Sequence, residues 1–228
     1  MIIFILIIIL IIIASFMIKN KVVIHLGTFF RKGFRKNTDN YGLYTFVAVQ
    51  GGGKTYSCVD YLSSLKKKKI VITNVKSYYD NHKSTTIYEN DFNRIIDLMN
   101  EKDDCSEYII FFDEIFSLLS SSKLSLKIRN FLTQLRKKNL YFLTTCQIWS
   151  DLPLTFRRLS RFVVNCRMIN IPIFDFAICI NEINDGYQTK WDSDAQDFVS
   201  PRIRTTVKKC SKKIAESYDT FEAIIGYA

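Results

Sequence analysis

Eight residues, Ala48-Val49-Gln50-Gly51-Gly52-Gly53-Lys54-Thr55, follow the apolar run Tyr44 to Val49 and lead into a stretch predicted to be helical from Tyr56. Consecutive glycines let backbone N–H groups converge on phosphate oxygens without a side chain in the way. The helix N-terminus behind them adds partial positive charge. In this setting Gln50, Gly51, Gly52 and Gly53 cradle phosphate, Lys54 reaches the β- and γ-phosphates of a nucleoside triphosphate, and Thr55 ligates Mg²⁺. Ala48 stands where glycine is commoner in such loops, a change that removes no phosphate-contacting group. A plain glycine-rich turn would need neither the lysine nor the hydroxyl that follows it.

A second site residue pair lies downstream. Tyr108-Ile109-Ile110-Phe111-Phe112 is an apolar run of the kind found in strands buried on both faces, and it ends in Asp113-Glu114. Carboxylates at the C-terminal edge of such a strand point into the crevice where ligands of open α/β sheets sit. Asp113 suits Mg²⁺, and Glu114 suits the orientation and deprotonation of an attacking water. Without a phosphate loop, the same string would read as the acidic first turn of a helix. A third run, Leu140 to Thr145, brings Cys146 and Gln147 to the same edge. Thr145 and Gln147 are both candidates for sensing the γ-phosphate or holding the lytic water, with Gln147 favoured. A capping residue is the bland alternative.

Positioning these groups requires a mostly parallel sheet. Strands are predicted at 43–49, 69–74, 107–112, 140–145 and 161–165, with helices near 54–66, 91–100, 123–138 and 153–160. That alternation predicts an α/β fold, a P-loop NTPase sheet flanked by helices, within one domain spanning 43–228. A β-rich extension is expected from about residue 167. Within it, Ile171 to Ile183 reads as a hairpin or added edge strand outside the central sheet, Ser200 to Ser211 as a solvated connection, and Glu216 to Ile225 as a terminal helix or packed tail.

The N-terminus is of another kind. Met1 to Ile18 is apolar except for Ser15, and at about 1.5 Å per residue it approaches the thickness of a bilayer's hydrocarbon core. A cleavable signal would show basic residues before the apolar core and a small-residue cleavage site after it; neither is present. A buried core helix would show some polar face, and Ile and Leu occupy the whole circumference. One N-terminal transmembrane helix, 1–18, is therefore expected, followed by a basic juxtamembrane tether over 19–42. The tether's Lys19, Lys21, Arg31, Lys32, Arg35 and Lys36 place the ATPase domain on the cytoplasmic side of a host inner or cell membrane.

The chain's 228 residues have a formal net charge of +10, but those six cations satisfy topology and anionic lipid rather than nucleic acid. The interval Ile115 to Ser150 holds Lys123, Lys127, Arg129, Arg136, Lys137 and Lys138 and no Asp or Glu. Ile128, Phe131, Leu132 and Leu135 mark its buried face, which leaves Lys127 and Lys138 outward, either as a solvated face or as a lining for DNA phosphates. Lys66 to Lys69 reads as a solvated turn. The six cysteines are scattered without paired spacing and read as reduced packing residues, and His25 and His82 have no partner at ligand spacing, so no metal site beyond Mg²⁺ is predicted.

The phosphate loop and its helix, the basic run into Ile70-Val71-Ile72-Thr73-Asn74, Asp113-Glu114, the Gln147 strand, and Ser150-Asp151 followed by Phe156-Arg157 together resemble the zonular occludens toxin family of filamentous-phage assembly ATPases. That family sits within the FtsK/HerA-like P-loop motors. The similarity spans roughly Tyr44 to Val164. It implies that Thr73-Asn74 ends its strand and that Arg157, with Arg158 and Arg161 as rivals, acts as an arginine finger across a subunit boundary in a homo-oligomeric ring. It also implies ATP and Mg²⁺ as cofactors, viral DNA as the object moved, and phage coat or assembly proteins as partners. The expected function is a membrane-anchored ATPase that drives viral DNA translocation during phage assembly and extrusion. The alternatives are a genome-packaging ATPase of a membrane-containing virus and a nucleotide-switched membrane adaptor. One departure is positional: in that family the membrane span usually follows the ATPase domain, and here it precedes it.

Overall fold

The fold was obtained as a computed structural model that describes residues 2–19, 22–24, 41–65, 67–75, 84–119, 124–172, 176–188, 190–192 and 197–218. The first elements are α1 (Ile2–Lys19), β1 (Val22–Ile24), β2 (Gly42–Val47), α2 (Lys54–Ser63), β3 (Lys69–Thr73), β4 (Ser84–Tyr88), α3 (Phe92–Asn100) and β5 (Tyr108–Phe112). They are followed by α4 (Leu126–Gln134), β6 (Tyr141–Cys146), α5 (Leu154–Leu159), β7 (Ser160–Ile171), β8 (Phe176–Asp185), the small hairpin β9 (Lys190–Asp192) and β10 (Asp197–Val199), β11 (Arg202–Lys209) and α6 (Lys212–Ala215).

Nine of the strands form one sheet in the order β1-β11-β8-β7-β2-β6-β5-β3-β4. Pairing is parallel for β4-β3-β5-β6-β2-β7 and for β1-β11, and antiparallel on both sides of β8. Two reversals cancel, so every strand of this sheet except β8 runs the same way. The sheet thus has one edge where strands start and one where they end.

Alternation along the central strands feeds two cores. Ile110, Phe112 and Phe142 face Ile95, Ile96, Phe131 and Phe156 from α3, α4 and α5. Ile109, Phe111 and Leu143 face Tyr56, Val59 and Leu62 of α2 and Ile214 of α6. With both faces covered, these strands need apolar side chains at every position. Helix starts are fixed locally: the Asp91 carboxylate accepts from the Asn93 N–H at 2.9 Å, and the Ser125 hydroxyl from the Ile128 N–H at 3.3 Å.

Several expectations change. Ser200 to Ser211 is not a connection: most of it is β11, which pairs with both β8 and β1, and its buried side chains are the hydroxyls Thr205 and Thr206, not an apolar run. The segment from Ile171 to Ile183 does form a hairpin, yet β8 belongs to the central sheet and does not stand beside it. Lys69 does not sit in a solvated turn; it is buried at the start of β3, with its Nζ donating to the Ser106 carbonyl. Lys138 is not an outward cation either. Its Nζ donates to the carbonyls of Met99 (2.8 Å) and Lys102 (2.6 Å), closing the C-terminal end of α3 where carbonyls lack helical partners. Lys127 is exposed and pairs with Asp97 at 2.7 Å. Lys123, His25, His82, most of the tether and 219–228 lie outside the described residues.

α1 is 18 residues long, and side chains such as Ile7, Ile11 and Phe16 are exposed along it. Taken over the described residues, no helix is long and apolar enough to cross a membrane. The expected crossing rests on the sequence of Met1 to Ile18.

Candidate nucleotide site

The site forms where β2, β5, β6 and β3 end. Beyond Val47 the chain turns through Gly51 at φ +76° and Gly53 at φ +85°, conformations that side chains with a Cβ adopt at a cost. Gly52 meets a different constraint: a Cβ there would come within 2.6 Å of the Ala48 Cβ and 3.0 Å of the Val49 carbonyl, to which the Gly52 N–H donates at 3.0 Å. The loop is therefore a backbone cradle that only glycine builds. Gln50 is exposed at its lip. α2 begins immediately behind it with Lys54, which is buried, and Thr55.

β5 ends at Phe112 and delivers both carboxylates to this cradle. Thr55 Oγ1 donates to Asp113 Oδ2 at 3.0 Å, and Lys54 Nζ lies 3.5 Å from Glu114 Oε1. The residues proposed for Mg²⁺ are thus already adjacent, as are the lysine and the general base. Burial pushes the Asp113 carboxyl above its ordinary range, and the hydroxyls of Thr145 and Thr55 oppose that shift by bonding the charged form.

Two neighbouring strands hold this pair in place. Asn74, at the end of β3, clamps the Asp113 main chain. Its Oδ1 accepts the Asp113 N–H (2.8 Å) and its Nδ2 donates to the Asp113 carbonyl (3.1 Å). Thr145 on β6 is buried and does more than the sequence allotted to it. Its Oγ1 donates to Asp113 Oδ1 at 2.5 Å and accepts the Glu114 N–H at 2.8 Å. Glu114 sits at φ +51°, an uncommon conformation for a residue with a Cβ, held between that bond and the turn that follows. Gln147, the favoured candidate, is exposed just past β6 at the same edge.

Arg157 is placed differently. It lies in the last turn of α5, which runs directly into Ser160, and Ser160 pairs with Leu43 at the start of β2. Four residues of β2, about 13 Å, separate that level from Val47. Arg157 is thus at the strand-starting edge, opposite its own phosphate loop. Arg158 beside it is exposed, while Arg161 is engaged: its Nη1 donates to the Tyr41 carbonyl at 2.7 Å and its guanidinium lies over the Tyr41 ring.

One neighbour of the loop escaped the sequence reading. β7 pairs with β2 only as far as Asn165 opposite Val47, then continues with β8 to Ile171 beyond the end of β2. This puts the Met168 side chain 3.0 Å from where a Gly53 Cβ would be. The hairpin is a wall beside the phosphate loop. A strand prediction that ended at 165 could not reveal it.

The fit to a nucleotide rests on these features: a cradle that a Cβ would fill, a buried lysine, and a hydroxyl beside a carboxylate. Among the described residues no group of three or more His, Cys, Asp or Glu is arranged to hold a metal ion. One carboxylate and one hydroxyl suit Mg²⁺, which retains waters and takes phosphate oxygens as further ligands.

No protein-family model matches the sequence, and no curated protein matches it. Solved structures do match. The N-terminal domain of zonular occludens toxin from Neisseria meningitidis aligns over 78% of this chain and 98% of its own, with TM-score 0.50 and 14% identity. The genome packaging NTPase B204 from Sulfolobus turreted icosahedral virus 2, in complex with AMP, aligns over 72% and 98%, with TM-score 0.45 and 12% identity. The flagellar accessory protein FlaH from Methanocaldococcus jannaschii aligns over 62% and 77%, with TM-score 0.41 and 15% identity. At such identities the likeness is one of fold. The chain has the α/β fold of P-loop NTPases, and its structural neighbours include the toxin domain of the family that its motifs resemble.

Proposed function

We propose that this protein is an ATPase, anchored in the host inner or cell membrane by its N-terminal helix, whose cytoplasmic domain works as a homo-oligomer, a ring, to move viral DNA during filamentous-phage assembly and extrusion. The observation that carries the reading is the continuous network Lys54–Glu114–Thr145–Asp113–Thr55 beside the glycine cradle. It joins every group that triphosphate hydrolysis requires. Bound Mg²⁺ supplies charge neutralisation of the phosphates. Thr55 and Asp113 hold it, and the glycine amides and Lys54 hold the phosphates. Glu114 takes the proton of the attacking water. Because Lys54 and Glu114 are paired, phosphate binding that draws Lys54 away also frees the Glu114 carboxylate for that role. Membrane anchoring is supported by the apolar sequence of α1, and the DNA, ring and coat-protein partners by the family resemblance of the motifs.

Measured ATP binding and phosphate release separate the two central roles. Lys54→Ala is expected to abolish binding. Glu114→Gln should bind ATP at near-normal affinity and lose about 10²- to 10⁴-fold in turnover, the range of general-base catalysis. Normal turnover by Glu114→Gln would remove Glu114 from the chemistry.

A further inference from the structure

The register of β1 fixes more than the edge of a sheet. Only Asn20 and Lys21 separate α1 from β1, so Val22 begins within about 10 Å of the helix end. Val22, Val23 and Ile24 pair in parallel with Thr205, Thr206 and Val207 of β11. β11 is co-directional with β2, β6, β5 and β3 through the two reversals at β8. β1 leads away from α1, and every strand parallel to it leads the same way. The edge where strands start therefore lies on the side of α1, and the edge where they end, with Lys54 and Glu114, lies on the far side.

Charge on the near edge fits that placement. Exposed cations precede β3 (Lys67, Lys68), β6 (Arg136, Lys137) and β7 (Arg158), and Arg204 lies near the start of β11. Among the side chains whose exposure is described, the exposed acids of this edge are Glu101, Asp103, Asp104 and Glu107, in the connection before β5. A cavity of about 250 Å³ opens on the same edge, lined by Leu43, Leu132, Leu135 and Leu159 with Arg136 and Tyr187. Cations around an apolar recess, beside an aromatic, match the polar boundary of an anionic bilayer.

We infer that the ATPase domain docks its strand-starting edge on the anionic membrane surface that α1 enters, so that the nucleotide edge faces the cytoplasm and the next object along the DNA path. This rests on the reading of α1 as a membrane anchor. The docking surface is the sheet edge itself, distinct from the basic tether. β11 links it to the nucleotide helix, because Lys208 Nζ pairs with Asp60 of α2 and Tyr56 Oη accepts the Ser211 N–H.

The test uses the full chain reconstituted in phosphatidylglycerol-containing liposomes and labelled with a membrane-impermeant amine reagent, with the same protein in detergent as reference. Rates at Lys67, Lys68 and Lys137 are read by mass spectrometry against Lys209, Lys212 and Lys213, which follow the strand-ending edge. Docking predicts that the first group slows by about threefold or more in liposomes while the second is unchanged, given that the anionic surface acts within a Debye length. Liposome flotation after an alkaline wash, done on the same sample, reports the anchor. Protein that floats yet labels equally at both edges, or is protected at Lys209, Lys212 and Lys213 instead, overturns the docking alone. Protein that fails to float overturns the anchor reading and the docking with it.

Discussion

At the scale of single residues, the site is a set of hydrogen bonds whose members differ in how far apart they are in sequence. Lys54, Thr55, Asp113 and Glu114 were legible because each belongs to a short string whose chemistry is complete in itself. Thr145 was legible only as the less favoured of two candidates beside Gln147, because its bonds to Asp113 and Glu114 depend on the register of β6 against β5, where Phe112 pairs with Thr144. That pairing sets the next residue, Thr145, beside Asp113 and Glu114, while Gln147 projects past the strand. Thr145→Val removes a bond to a buried carboxylate, a change of about 1.5 to 3 kcal/mol. If that support acts on the transition state, turnover falls roughly 10- to 100-fold. Steady-state phosphate release should show this loss, with Thr145→Ser near wild type. A larger loss in Gln147→Ala than in Thr145→Val would give the role at the γ-phosphate to Gln147.

Among the elements, the strands with continuous apolar runs, β5 and β6, were legible, and so was α4 with Ile128, Phe131, Leu132 and Leu135 on one face. β4 and β11 were not. The Ser-Thr-Thr-Ile-Tyr sequence of β4 lies at the sheet edge with exposed side chains, and β11 buries the hydroxyls of Thr205 and Thr206 between β8 and the far N-terminal β1. Neither presents a local apolar signal. β11 is nonetheless tied to the phosphate-loop helix by the Lys208–Asp60 pair at 2.5 Å, both side chains about four-fifths shielded from solvent. Removing one partner leaves the other charge partly buried, so Lys208→Met should cost about 2 kcal/mol and lower the melting temperature by roughly 4–8 °C in a domain of this size. A double change with Asp60→Asn should cost less than the sum of the singles. Additive losses would mean that the pair contributes nothing as a pair.

For the whole molecule, the position of Arg157 constrains how the subunits of the proposed ring could cooperate. At the strand-starting edge it is remote from its own Lys54, and in a ring whose subunits all rest that edge on one membrane it is as remote from a neighbour's, so the docked arrangement leaves no arginine finger at Arg157. Mixed oligomers of Arg157→Ala subunits, which keep Lys54 and Glu114, with Lys54→Ala subunits, which keep Arg157, should therefore not exceed the activity that the Arg157→Ala subunits have alone. A guanidinium at the developing charge can be worth about 10³ to 10⁵ in rate. Recovery in verified mixed oligomers would place Arg157 at a neighbour's phosphates and overturn the docked arrangement.

Coupling of this nucleotide site to DNA is read from phosphate release by the detergent-solubilised full chain, with and without DNA. Single-stranded and double-stranded DNA are compared separately at saturating ATP and Mg²⁺, with Glu114→Gln as the control for contaminating activity. At least one form of DNA is expected to raise the turnover of the wild type by about tenfold, equivalent to about 1.4 kcal/mol of coupling, and to leave Glu114→Gln silent. Hydrolysis that depends on Glu114 but is indifferent to both forms of DNA would contradict the assignment as a DNA motor.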